Sequence, residues 1–354
     1  MPYWLSGGRL KFEKLDSTYI KIDTDAGLSG WAESCPWGNS YLPGFGGGVI
    51  AAAQLLAPAL LGQDPRKTEH INAVMDFTLP GHLYAKSPFD IACWDIWGQS
   101  AGLSIADMLG GCYDEPTPIA SSISLGTPAK MLDSVQQYRD RGYFTHSVKI
   151  GGDVCLDIER IRHLQKNRKP DEIIFYDLNR SWLPAEAIMV INQLADFSVI
   201  FEQPCETLKQ CLTVRKQTTQ LISIDENLFT LDDMLFIIDR RVGEIVNIKI
   251  SRVGGLTKAR RLRDVALNAG IKFIIMDTGG GVIADTATQH FAWTIPPAFR
   301  IATWLCQDML AVDVVDSGKG ARNQNGRAQI PENCAGLGVQ PKEKMLGKPV
   351  AVYL

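Results

Sequence analysis

Five short apolar runs, each closed by a charged residue, occupy positions 145–149, 173–177, 198–202, 221–225 and 245–249. Their charged ends are Lys149, Asp177, Glu202, Asp225 and Lys249, spaced 23 to 28 residues apart, and the intervening sequence has the pattern of helix. A run, a helix and the return to the next run in about 25 residues is the length of one βα unit. Strands buried on both faces of a parallel sheet read as near-continuous apolar runs, so a charge is expected only where the strand emerges. In a (β/α)8 barrel that C-terminal rim carries the chemistry. One such charge could simply open a loop. Five in register aim Lys, Asp, Glu, Asp and Lys at a single mouth. Three carboxylates are hard oxygen ligands suited to Mg²⁺, and a lysine flanks them on either side.

The pattern continues in both directions. Residues 116–126 predict the first barrel strand, 272–277 the seventh and 299–304 the eighth. Thr127-Pro128 caps the first barrel helix, Pro184 opens the third, Leu231 opens the fifth, and further helices are expected at 256–269 and 283–293. Ahead of the barrel, alternation over 17–23 and a turn at Asp25-Ala-Gly27 predict a small antiparallel sheet in residues 1–30, continued by 31–33. A loop of Gly, Pro and aromatic residues at 35–48 is long for a connector and suggests a lid, a surface loop being the alternative. Helices follow at 49–61, 66–78 and 88–100, the last with Ser87 as cap and Pro88 at its first position. Asp90 and Asp95 on that helix read as structural, and His82 could reach the mouth from the cap. The Gly- and Pro-rich tail, 316–354, is expected to fold back on the N-terminal region.

The expected organisation is α/β: a capping α+β domain, 1–112, completed by the tail 318–354, and a (β/α)8-type barrel, 113–317. The length of 354 residues fits a barrel of about 250 residues plus a further domain. A net charge of −3 without a basic block favours neither nucleic acid nor an anionic membrane as partner. No apolar run approaches the roughly 20 residues of a spanning helix, and no signal-peptide pattern is present, so a cytoplasmic location is expected. The 8 cysteines include no C-x-x-C pair. Cys93, Cys155, Cys211 and Cys306 sit in apolar or helical context and read as reduced core residues. Neither G-x-S-x-G nor G-x-G-x-x-G occurs, and the five histidines form no H-x-x-x-H pair.

At the ladder of charged strand ends the sequence resembles the enolase superfamily, in its mandelate racemase and muconate-lactonising branch. The resemblance rests on Lys149-Ile-Gly151, Asp177-Leu-Asn179, Glu202-Gln-Pro204, Asp225-Glu226 and the stretch Asn247 to Gly255. It implies a modified barrel of the β7α type, Mg²⁺ on Asp177, Glu202 and Asp225, and Lys149 and Lys249 as acid/base catalysts. Many family members carry K-x-K on the second strand; here the first lysine is Ser147. Further motifs are similar to those of hydroxyproline dehydratases in this branch: the stretch from Pro2 to Phe12, the Cys35–Pro43 stretch, Leu79-Pro-Gly-His82, Lys86-Ser-Pro and Gly280-Gly281 with Ala284-Asp-Thr-Ala287. Those relatives begin with one more strand before Pro2, so the chain is expected to start late at the cap's edge. The similarity implies dehydration of cis-3-hydroxy-L-proline, with 2-epimerisation of proline, hydroxyproline or their betaines as the alternative, since a base and an acid on opposite faces permit either. A metal-binding barrel without catalysis is a third reading, which the full set of five charged residues disfavours. A homo-oligomer is expected. For the cationic nitrogen of an imino-acid substrate, Asp277, Trp304, Tyr41 and Trp37 are candidates, the aromatic faces through cation–π attraction; each could equally be core packing.

Overall fold

Eight parallel strands form the barrel. In chain order they are Ala120–Ile123, Thr145–Lys149, Ile173–Asp177, Ile200–Glu202, Leu221–Ile224, Ile245–Lys249, Lys272–Met276 and Arg300–Thr303. Each is hydrogen-bonded to the next in sequence order, and a bridge from Ile119 to Thr303 brings the first and last together. The computed structural model describes residues 3–4, 11–39, 41–113 and 115–354; Pro2 and residues 5–10 of the N-terminal motif lie outside them. Among the described residues a helix follows each of the first seven strands, whereas the eighth leads into a short 3-10 turn, Cys306–Met309.

Two apolar layers hold the barrel. Alternate residues point inward, where Ala120, Phe175, Ile245, Ile274 and Ala302 plug the interior below the mouth. The other set, including Val148, Tyr176, Phe201, Val246 and Ile275, packs outward against the helices. Period-two alternation thus puts Lys149, Asp177 and Lys249, each two residues beyond an inward neighbour, inside the mouth.

Three expectations need correction. The first strand is shorter than 116–126. Pro116 and Pro118 have no N–H for a ladder, and Thr117–Pro118 instead lies at the edge of a small sheet, antiparallel to Arg327–Gln329. The first cap helix, Gly46–Leu60, starts three residues early, because glycine lets its first turn approach Tyr84: a Cβ on Gly48 would lie 2.4 Å from the Tyr84 hydroxyl. Pro88 is not at a helix start but inside Leu83–Ala101. A mid-helix proline leaves the carbonyl four residues back without its donor. That carbonyl belongs to Tyr84, and Ser34 Oγ donates to it at 2.7 Å.

The cap's hairpin, Thr18–Asp23 with Ser29–Ser34, and its helices Gly46–Leu60, Thr68–Thr78 and Leu83–Ala101 sit against the barrel. Buried carboxylates join the two. Asp90 accepts from Thr257 N at 3.0 Å and Thr257 Oγ1 at 2.6 Å, at the start of the barrel helix Leu256–Asn268. Gly255, with φ +107°, permits this approach, since a Cβ there would lie 2.7 Å from Asp90 Cβ. Glu33 accepts from Gly281 N at 2.9 Å at the start of Val282–Ala292. Asp95 accepts from Trp31 N at 2.9 Å and Leu337 N at 2.8 Å, tying the tail to the cap. All eight cysteines are free thiols; Cys155, expected in the core, is exposed on the helix Val154–Lys166. Among the described residues, no helix is long and apolar enough to cross a membrane.

Candidate active site

Lys149, Asp177 and Glu202 stand level with one another as register partners on three adjacent strands. Asp225 follows the fifth strand by one residue, and Lys249 ends the sixth. In an eight-stranded ring, the second and sixth strands face each other, so the lysines stand on opposite sides with the carboxylates along one arc between them. All five line one cavity, together with Tyr41, Asp277 and Trp304. Those eight candidates from the sequence therefore reach the same cavity, as does Trp37. His82 does not: it is exposed, left-handed at φ +49°, at the start of Leu83–Ala101, with its ring facing Tyr84 at 6.1 Å.

The charges are tightly interlocked. Lys149 Nζ donates to Asp177 Oδ2 and, at 3.1 Å, to Asn179 Oδ1. Lys249 Nζ donates to Asp225 Oδ2 at 2.7 Å and to the Tyr41 hydroxyl at 2.6 Å. Arg252 donates to Asp225 Oδ1, to Leu228 O at 2.9 Å and to Asn247 O at 2.5 Å. Against the cost of burial, Lys249 and Arg252 hold Asp225 well below the usual carboxylate range. Glu202 goes the other way. Burial, then the charges of Asp177 and Asp225, push its carboxyl well above the usual range, although Asn247 Nδ2 donates to it at 2.8 Å. Glu226 is likewise pushed up to about 7 by burial and by Asp225 and Asp177.

This imbalance is the test of whether a metal fits. Three acidic groups crowd one rim, all with oxygen donors, and the middle one resists ionisation because it is buried beside the other two; a divalent cation would offset that. Among the described residues no three such side chains form a ready-made ligand cluster; Asp177 and Asp225 are turned onto the lysines and Arg252 instead. The donor set fits a divalent cation once those two carboxylates rotate.

Residues 130–345 match the family described as enolase C-terminal domain-like, and residues 11–110 match the mandelate racemase/muconate lactonizing enzyme N-terminal domain. The chain belongs to the enolase superfamily. Within that superfamily it is 37% identical over 351 residues to the cis-3-hydroxy-L-proline dehydratase of Roseibium aggregatum, spanning 99% of this chain and 94% of the relative. It is 28% identical to the N-succinyl-L-Arg/Lys racemase of Bacillus cereus, over 83% of this chain and 80% of that one. The crystal structure of a superfamily member from Roseovarius nubinhibens ISM, complexed with magnesium, superposes with a TM-score of 0.95 at 48% identity, covering 100% of this chain and 95% of that one. The nearly closed parallel barrel with an N-terminal cap is the superfamily fold, as expected from the strand-end ladder.

Sequence reasoning missed two parts of this enolase-superfamily site. Arg252 was visible only as a letter of the sixth-strand motif; its role depends on the helical turn Ile250–Val253, which swings it back onto Asp225. The second is Ser251, whose N and Oγ both donate to Asp277 Oδ1 and fix that carboxylate at the wall.

Proposed function

We propose that this chain is a Mg²⁺-dependent dehydratase of cis-3-hydroxy-L-proline. The observation that carries this is the pair of lysines facing each other across a cavity lined by buried side chains, with three carboxylates between them, in a chain similar along almost its whole length to a protein of that name. Asp177, Glu202 and Asp225 would hold the metal. When bound, the cation supplies Lewis acidity that offsets the charge building on the substrate carboxylate as its α-proton leaves. In the cis isomer the hydroxyl and carboxylate share one ring face, so the α-hydrogen lies anti to the hydroxyl. One lysine, as the free amine, takes the α-proton, and the C–H pair becomes a C2=C3 bond. The other, as the ammonium, protonates the hydroxyl as the C3–O bond breaks, and water leaves. The resulting enamine tautomerises to Δ1-pyrroline-2-carboxylate. Asp277 and the faces of Tyr41, Trp37 and Trp304 surround the cationic ring nitrogen. Trp37 and Trp304 pack at a centroid distance of 5.8 Å, as two sides of such a box.

The same lysines would serve a 2-epimerase of proline, hydroxyproline or their betaines. That second reading is favoured by the racemase and epimerase names of more distant relatives. One experiment separates them: incubation with Mg²⁺ in D₂O with cis-3-hydroxy-L-proline, its trans isomer, L-proline and proline betaine, followed by NMR. Water loss from the cis isomer, with the trans isomer spared, is the expected result. Inversion at Cα without water loss would establish the epimerase. Chelation should abolish turnover and Mg²⁺ restore it; full activity in a verified metal-free sample would remove the metal from the mechanism.

A further inference from the structure

The two lysines are supported from different places. The partners of Lys149 described above, Asp177 and Asn179, belong to the barrel. Lys249 is held from two sides. Asp225 takes one N–H from the barrel, and the Tyr41 hydroxyl, from the cap loop, takes another at 2.6 Å. That hydroxyl donates onward to Asp225 Oδ2 at 3.1 Å, so its own orientation is fixed. Tyr41 is only 5% exposed, and its ring centre lies 4.9 Å from Lys249 Nζ. A lysine ammonium is a rotatable group on a flexible stem. Two acceptors on separate elements remove that freedom, and once Asp225 turns to a metal the Tyr41 hydroxyl is the acceptor that still directs the nitrogen.

The loop bearing Tyr41 is itself fastened to the barrel. Arg180 donates from one terminal nitrogen to the Tyr41 carbonyl at 3.0 Å, and its other terminal nitrogen reaches Glu206 at 3.4 Å. Arg180 and Asn179 are consecutive non-glycine residues in left-handed conformation, φ +69° and +42°. Such geometry is unfavourable for residues with a Cβ and persists only where surroundings enforce it. Here Arg180 N donates to Gln203 O at 2.9 Å and Asn179 N to Asp177 Oδ1 at 2.9 Å. The strained turn aims Asn179 at Lys149 and Arg180 at the cap loop.

We infer that Tyr41 is a positioning residue for Lys249, delivered by the cap loop and latched by Arg180, so that Lys249 acquires its working direction only when the loop lies closed. This deepens the functional reading above and rests on Lys249 acting as acid or base. Substrate entry and release then require the loop to lift, and lifting disarms one of the two lysines.

The test uses Tyr41→Phe, which keeps the ring and removes the hydroxyl, with Arg180→Ala and Arg180→Lys. The first readout needs no substrate: trace acetylation with acetic anhydride, then peptide mass spectrometry, gives the labelling of Lys249 relative to Lys149. Loss of one hydrogen bond to the ammonium should raise that ratio about 5-fold in Tyr41→Phe and in Arg180→Ala, and Arg180→Lys should restore most of the protection. The second readout is turnover. Tyr41→Phe should lower kcat by about 10- to 100-fold through misplacement of Lys249, with KM nearly unchanged. In D₂O its impaired step, exchange or elimination, should be the one lost in Lys249→Ala rather than in Lys149→Ala. A raised KM at unchanged kcat would make the Tyr41 hydroxyl a substrate contact rather than a support for Lys249, and would overturn the inference. An unmoved labelling ratio in Tyr41→Phe would also overturn it, and one in Arg180→Ala would overturn the latch. If the ratio moves while none of the imino acids reacts, the positioning stands and the dehydratase reading falls.

Discussion

Asp277 is held by one oxygen. Ser251 N at 3.1 Å, Ser251 Oγ and Thr278 N at 2.6 Å all donate to Oδ1, while the residue lines the cavity. Burial pushes its carboxyl up, and these donors work against that rise. Oδ2 is left to meet a cationic nitrogen. Asp277→Asn keeps the shape and the anchored oxygen but removes the charge. A charge-assisted hydrogen bond contributes about 1.5–3 kcal/mol, so KM for the imino acid should rise roughly 10- to 100-fold with kcat less affected; an unchanged KM would remove Asp277 from the substrate contacts. Glu202 gives a complementary case. Glu202→Gln relieves crowding among three acidic groups, so the fold should lose no stability in denaturant titration. Mg²⁺ affinity, measured by calorimetry, should fall by at least the 10- to 100-fold typical of losing even an outer partner of a metal site. Equal affinity would mean the cation sits elsewhere. Both residues were legible because each ends a strand. Arg252 was not, because the turn that returns it to Asp225 is made by backbone geometry that the letters do not display.

At the scale of elements, carboxylates from one segment repeatedly close the helix start of another. Asp90 serves Leu256–Asn268, Glu33 serves Val282–Ala292, and Asp285 accepts from Cys306 N and Gln307 N, each at 3.1 Å, at the turn after the eighth strand. The first four N–H groups of a helix lack internal partners and carry partial positive charge, so a buried carboxyl oxygen there is well placed. Asp90→Ala deletes such a cap and leaves Thr257 and Asn72 short of a partner. It should cost about 2–4 kcal/mol in urea unfolding, with kcat per folded molecule little changed because Asp90 touches no cavity residue named above. A loss under 0.5 kcal/mol would show that the junction is held by apolar packing alone. These staples also mark the limit of the sequence reading. Helices opened by Thr127-Pro128 and Pro184 were found because the signal is local. Pro88 misled because its helix is rescued by Ser34, 54 positions earlier, and no local pattern announces such a partner.

For the whole molecule, two histidines buried in the neutral form set an acid limit on the fold. His290 Nε2 donates to Leu337 O at 3.0 Å, and its Nδ1 accepts from Ala106 N at 3.4 Å, so the ring joins a barrel helix to the tail and to the short helix Ile105–Met108. Protonation at Nδ1 would set a proton against that N–H, and burial holds the imidazole down at about 4, although the Leu337 carbonyl and then Asp107 favour the charge. His146 is held down to about 4 as well, first by burial; Glu172 beside it would welcome a proton, but Arg139 already occupies both Glu172 oxygens. An unfolded histidine titrates near 6.5. The folded value lies below that, so the stability is fully present above about pH 6.5 and is lost as pH falls from there towards 4, where the unfolded chain takes up a proton the fold refuses. Buried carboxyls tilt the other way. Asp285, pushed up to about 8 by burial, keeps a proton that the unfolded chain releases, so its contribution is lost as pH rises from about 4 through 8. Total stability against pH therefore mixes both signs, and a difference between variants isolates one group. The stability gap between the wild-type chain and His290→Gln, from urea titrations, should be constant from pH 8 to 7. It should then shrink between pH 6.5 and 5 by up to about 1.4 kcal/mol per pH unit, because only the wild type loses stability through this site. A gap independent of pH would mean that His290 takes its proton as readily in the fold as outside it.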